Sequence, residues 1–222
     1  MQRKIEISVG EFYHIYSRGV EKRNIFLDAS DKERFHKLLY FANGERPYVF
    51  RLIQGQPLNA IEVGERKTAI GAYVLMPNHI HILVKETQEG GVSGFMEKLL
   101  TGYSMYFNKK YDRVGPLFQS RFKAQHANRD EYLKYLFAYI HLNPIKLFEP
   151  KWREKGIKDT VRAKKFLGQY QYSSYAEYAG KERSESIILS KKEFPDYFSE
   201  QDSFDDFLHD WLEFRDEELT FG

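Results

Sequence analysis

The sequence predicts an α+β fold, and three observations carry that reading. Stretches that alternate apolar and polar residues are interleaved with stretches whose apolar residues recur every three or four positions. Gly, Pro and Asn mark the joins between them. No repeat or low-complexity tract interrupts the 222 residues, a length that suits one well-packed domain with an extension.

Glu11–Ser17 alternates as a strand and stops at Arg18-Gly19. Ser30 or Asp31 is then placed to cap a helix whose apolar stripe is Phe35, Leu38, Leu39 and Ala42. Tyr48–Ile53 could be a further strand, and Gln54–Lys67 reads as a polar loop or ragged hairpin. Two long strands, Thr68–Leu75 and His79–Lys85, flank the turn Met76-Pro77-Asn78. Glycines at 90, 91 and 94 break the chain before a helix over Phe95–Tyr111, with Phe95, Leu99, Tyr103 and Tyr106/Phe107 inward. After Gly115-Pro116, Leu117–Gln125 alternates again, setting Phe118, Ser120 and Phe122 against Gln119, Arg121 and Lys123. Asn128 caps a last helix, with Asp130 and Glu131 opposing the macrodipole in its first turn, and Pro144 ends it. The resulting order is the ferredoxin-like βαββαβ antiparallel pattern with one appended helix.

The character changes near residue 146, which divides the chain into a body, 1–146, and a mostly helical extension, 147–222. Lys146–Lys165 is rich in Lys and Arg and reads as a solvated segment rather than a phosphate-binding one. Residues 203–219 place Phe204, Phe207, Leu208, Trp211 and Leu212 at helical spacing, predicting a docked helix with an acidic outer face.

A net charge of +2 conceals a strong division. Residues 191–222 hold eleven Asp and Glu against Lys191, Lys192 and Arg215, a net of −8, so residues 1–190 carry +10. A positive body of that size is the footprint of a polyanion ligand. Sixteen Tyr and eighteen Phe add the kind of surface on which unpaired bases stack, although most must be core. The absence of cysteine excludes disulfides, thiol nucleophiles and Cys-metal sites. With no apolar run long enough to cross a membrane, and no signal-type core at Met1–Glu6, a cytoplasmic protein is expected.

The chemistry begins at His79-Ile80-His81. Residues i and i+2 of a strand share a face, about 6.5–7 Å apart, so both imidazoles lean toward one point while Ile80 and Ile82 face the core. Two neutral imidazoles that close could share a divalent metal; plain packing on the sheet is the alternative. On the last helix Tyr139 and Asn143 stand four apart, hence on one face. A tyrosine can serve as a covalent nucleophile and an amide oxygen suits a hard metal, yet helical tyrosines more often only pack.

Five collinear segments between about residues 11 and 180 resemble the single-tyrosine transposases, and specifically their REP-associated branch, related to insertion-sequence-200-like transposases. They are Tyr13–Gly19, Tyr73–His81, Gly115–Lys123, Tyr139–Pro144 and Tyr172–Tyr175. The resemblance implies a nuclease that cuts and rejoins single-stranded DNA beside a hairpin or palindromic repeat through a 5′-phosphotyrosine. It implies Tyr139 as nucleophile, His79 and His81 as metal ligands and Asn143 as the third, with Mg or Mn as the ion. Insertion-sequence relatives carry Gln at that third position, which makes Asn143 the least secure ligand. Arg18, Gln119, Arg121 and Lys123 would line the DNA groove, the last three from one strand face; a strand edge guarded by cations is the alternative. Lys134 and a metal-bound water are the two conceivable bases for the phenol. His14, His126 and His141 are read as structural, and a monomer is favoured over a dimer. Two competing readings are a non-transposing nucleic-acid-binding protein on the same fold and a metal phosphodiesterase that uses water instead of Tyr139.

Overall fold

The computed structural model describes residues 6–53 and 55–197, together with Phe204 and Leu208. Its elements are β1 (Phe12–Arg18), α1 (Ala29–Phe41), β2 (Thr68–Met76), β3 (His79–Glu86), α2 (Gly91–Lys110), β4 (Lys123–His126) and α3 (Asp130–Leu142). They are followed by α4 (Trp152–Lys155), α5 (Thr160–Gln169) and α6 (Tyr175–Tyr178). The four strands form one sheet in the order β2-β3-β1-β4, antiparallel throughout, which is the expected ferredoxin-like arrangement.

Strand alternation sorts the sheet into two faces. Tyr13, Ile15, Tyr73, Ile80 and Ile82 join Phe35, Leu39, Phe95, Leu99 and Tyr103 of α1 and α2 in the larger core. Val74, Met76 and Leu83, on the opposite face, pack under Leu133, Leu136, Phe137 and Ile140 of α3. The appended helix therefore covers the second face, and β2 is buried at every position. The functional candidates lie on this α3 side.

Several boundaries differ from expectation for identifiable reasons. The N-cap of α1 is Asp28, not Ser30 or Asp31: Asp28 accepts from the Asp31 amide, and Asp31 accepts in return from the Asp28 amide. The α2 helix starts at Gly91, earlier than Phe95, because the fully buried Glu86 carboxylate accepts from the amides of Gly91 and Val92. The residue before α3 is Arg129, with no side-chain cap, so Asn128 stands outside the helix. Tyr48–Ile53 is not a strand but contains a 3-10 turn, Phe50–Leu52. Its aromatic residues are spent on α1, Tyr48 and Phe50 lying 5.0 and 5.8 Å from the Phe41 ring.

Leu117–Gln125 is a strand only at its end. Leu117 and Phe118 are buried consecutively, which breaks the alternation; Phe118 makes a lone bridge to Gly19, and β4 begins at Lys123. Beyond α3, Pro144 does not turn the chain away; it is the second residue of a 3-10 helix, Asn143–Leu147.

The extension docks on the β2 edge. Leu75 donates to the Tyr172 carbonyl and Ser174 to the Tyr73 carbonyl, so Tyr172–Ser174 covers what would otherwise be an open edge. Phe194 lies flat against Gly71, where a Cβ would stand 2.6 Å from its ring, at a bulge in the β2–β3 register. Lys151, Lys158, Lys164 and Lys165 are exposed. Phe204 and Leu208 are buried with Ala138, Leu142 and Ile145, while Phe207, Trp211 and Leu212 lie outside the described residues. Among the described residues no helix is long and apolar enough to cross a membrane.

Candidate active site

His79 and His81 project from the α3 face of β3, their ring centroids 4.9 Å apart and their planes nearly perpendicular. Residues 76–79 form a tight connection in which Asn78 Oδ1 lies 2.6 Å from His79 Nδ1. Burial, then the cations Arg18 and Lys146, push the His79 pKa down to about 4, so its ring is neutral at pH 7. Arg18 lies opposite His79 in the β1–β3 register.

The His81 ring is held by a partner that sequence reasoning set aside. His14, on β1, places Nε2 2.8 Å from His81 Nδ1, and both side chains are buried. If each ring donates from the nitrogen facing a fixed acceptor, Nδ1–H of His79 points to Asn78 and Nδ1–H of His81 to His14. In that arrangement the two Nε2 atoms face the Tyr139 side of the site, as at metal sites where the second nitrogen is anchored. The His81 Nε2 lies 3.5 Å from the Tyr139 hydroxyl.

Tyr139 stands in the last turn of α3, half-buried, its ring 5.2 Å from His81 and 5.7 Å from His14, edge-on to both. Tyr135 stacks beside it at 5.8 Å with planes 17° apart, and Tyr132 continues the row. Lys146 holds its ammonium 5.4 Å from the Tyr139 ring centre. One turn beyond Tyr139, Asn143 is fully buried. Its amide reaches His79, where their hydrogen bond opposes the fall in that pKa, and its polar atoms have no other partner. A fully buried amide beside the neutral His79 ring and the His81 ring fits a site built for a cation.

The four residues predicted for chemistry therefore converge. The predicted groove residues do so only in part. Arg18 and Gln119 are joined by a backbone hydrogen bond, Gln119 donating to the Arg18 carbonyl, and both are exposed. Lys123 pairs with Tyr16 and holds its ammonium 5.8 Å from that ring, on the site face. Gln119 and Arg121, however, lie in the turn before β4 and do not share a strand face with Lys123. The structural reading of His126 and His141 agrees with their contacts. His126 meets Glu11 at 2.7 Å and stacks on Tyr13; His141 donates to the Phe137 carbonyl and accepts from Ser174, with burial pushing its pKa down to about 3. Lys134 pairs with Asp130 at 3.2 Å and lies over Tyr197, which turns it from the phenol.

Residues 60–143, which contain both histidines and the tyrosine helix, match the family described as transposase, IS200-like. Over that span the chain is similar to the IS200-like transposases. In three dimensions the chain is similar to a REP-associated tyrosine transposase solved bound to a REP hairpin, with a TM-score of 0.51 and 12% identity. The alignment covers 91% of this chain and 96% of that one, and at this identity it speaks for the fold. No curated protein matches the sequence. His14 falls outside the matched span; its place in Tyr13-His14-Ile15, on the same strand face as Tyr16, is the signal that could have found it.

Proposed function

We propose that this protein is a metal-dependent endonuclease and strand transferase for single-stranded DNA bearing a hairpin or palindromic repeat. The observation that carries the proposal is the approach of the Tyr139 hydroxyl to within 3.5 Å of His81 Nε2, beside His79 and the fully buried amide of Asn143. His79, His81 and Asn143 would hold the ion; two imidazoles suit Mn, Co or Zn, while oxygen ligands and the resemblance favour Mg or Mn. When bound, the ion supplies Lewis-acid polarisation of the scissile phosphate.

The rest is done by the chain. Asn78 and His14 fix the two imidazoles. Tyr139, braced between Tyr135 and the His81 ring, presents its oxygen to phosphorus; a Tyr–phosphorus bond forms as the bond to the departing 3′ oxygen breaks. That oxygen leaves as a 3′-hydroxyl, and the DNA is retained as a 5′-phosphotyrosine. Attack by a 3′-hydroxyl reverses the exchange without an external energy source, because one phosphodiester replaces another. Lys146 and Arg18 place positive charge on the flanks where phosphate oxygens would lie. Arg18, Gln119, Arg121 and Lys123 supply contacts to the strand along the β1–β4 side, and the +10 of residues 1–190 adds attraction to the polyanion.

The test is incubation of a labelled hairpin oligonucleotide with Mg or Mn. A protein–DNA adduct that survives SDS, and that Tyr139→Phe abolishes while still binding DNA, is expected. Cleavage persisting in that variant without an adduct would assign the site to a hydrolase, and binding without cleavage under either metal would leave a nucleic-acid-binding module.

A further inference from the structure

A row of four half-buried rings runs from the end of the tyrosine helix across the extension. Phe148 follows the 3-10 turn that carries Lys146. Its ring lies 4.9 Å from Phe166 of α5, Phe166 lies 5.8 Å from Tyr170, and Tyr170 lies 5.9 Å from Tyr172. Cations close both ends: the Arg162 guanidinium is 5.2 Å from the Phe148 ring centre, and the Lys32 ammonium is 4.2 Å from that of Tyr172. The row is fastened to the end of β2, because the Tyr170 hydroxyl donates to the Leu75 carbonyl and the Tyr172 carbonyl accepts from Leu75. Only Met76-Pro77-Asn78 separates that point from His79. Lys146 closes the gap from the other direction, reaching from the head of the row to the Tyr139 ring.

We infer that this row is a stacking lane for the unpaired DNA strand that flanks the scissile phosphate, an inference that rests on the proposed strand-transfer function. Partly exposed rings interleaved with cations are the form that single-strand binding takes: bases stack on the faces left open, and Lys or Arg meets the backbone. Four rings suit a segment of about four nucleotides, the small end of single-strand sites. Lys32 and Arg162, which cover the terminal rings, are the groups that entering bases would displace toward the phosphates. The lane lies on the extension, apart from the β1–β4 side that holds Arg18 and Lys123, so the two surfaces would engage the DNA at different places.

Fluorescence anisotropy on the Tyr139→Phe protein separates the lane from the catalytic reading. Two oligonucleotides are compared, one hairpin with an unpaired flank and one blunt. Replacing Phe166 and Tyr172 with Leu keeps the apolar packing and removes the rings; affinity for the flanked hairpin should fall about tenfold or more, with the blunt hairpin unaffected. Equal losses on both, or no loss on the flanked DNA, would overturn the lane while leaving adduct formation at Tyr139 intact. Failure of the parent to bind either DNA would overturn both proposals. Should the double variant unfold, photocrosslinking of the unmodified protein to a flank carrying 5-bromodeoxyuridine decides: crosslinks within 148–172 support the lane, and crosslinks confined to 14–18 and 119–123 refute it.

Discussion

Replacing His14 tests how the candidate metal site is held. The His81 ring places Nδ1 2.8 Å from His14 Nε2, and both residues are 6% exposed. With His81 Nδ1–H donating to His14, His14→Leu takes that acceptor from a buried N–H, which costs about 1–3 kcal/mol. It also frees the ring to adopt the other tautomer, in which Nε2 carries the proton and presents no lone pair. Losing a group that orients a ligating imidazole lowers metal affinity about 10–100-fold. His14→Gln can return an amide oxygen to the place of Nε2 and should restore most of that loss. Manganese binding followed by the electron paramagnetic resonance of the free ion measures the affinity directly, and a thermal melt of the metal-free protein separates ligand positioning from folding. If His14→Leu folds and binds manganese as tightly as the unaltered chain, His14 does not orient His81 and the reasoning fails.

Three further predictions concern the scaffold. His36 and His141 are buried, and burial holds both pKa values near 3, below the ordinary 6.5. The unfolded chain therefore takes up protons that the folded one refuses, so stability is full above pH 6.5 and is lost as pH falls toward 3; each histidine should cost about 2 kcal/mol between pH 7 and 5, read from urea midpoints. His36 Nε2 has no hydrogen-bond partner, so His36→Leu should leave pH 7 stability near the original and flatten that acid loss; an unchanged slope would contradict the assignment. Arg183 pairs with the buried Glu177 and also donates to the carbonyls of Gln171 and Ser173. Arg183→Met should destabilise by about 3–5 kcal/mol through the stranded carboxylate, and adding Glu177→Gln should recover much of it in chemical denaturation; no recovery would place the loss in the carbonyl contacts instead.

The βαββαβ order was legible because β1 alternates, β2 and β3 are apolar runs on either side of the Met76-Pro77-Asn78 turn, and the two core helices show their period. The convergence of Tyr139 with His79 and His81 was foreseen through the resemblance, while the helical spacing by itself placed only Tyr139 beside Asn143. What was not legible depends on register and tertiary partners. His14 becomes part of the site only because β1 pairs with β3 so that Tyr16 meets His81, a register no local pattern states. Tyr48–Ile53 has strand composition but no strand to pair with, and its rings pack on Phe41 instead. Leu117–Gln125 alternates in type, yet both Leu117 and Phe118 are drawn into the core, which ends the alternation before β4. Asp28 caps α1 in place of its neighbours because Asp31, with Lys110 and Tyr111, ties the start of α1 to the end of α2.

Identifying the side chain that carries DNA after reaction is the most direct measurement. The reacted protein is digested with protease and nuclease, and the peptide bearing a residual nucleotide is sequenced by mass spectrometry. The nucleotide is expected on Tyr139, linked through a 5′ phosphate. Its recovery on the stacked neighbour Tyr135, or cleaved DNA with no modified tyrosine, would contradict the account.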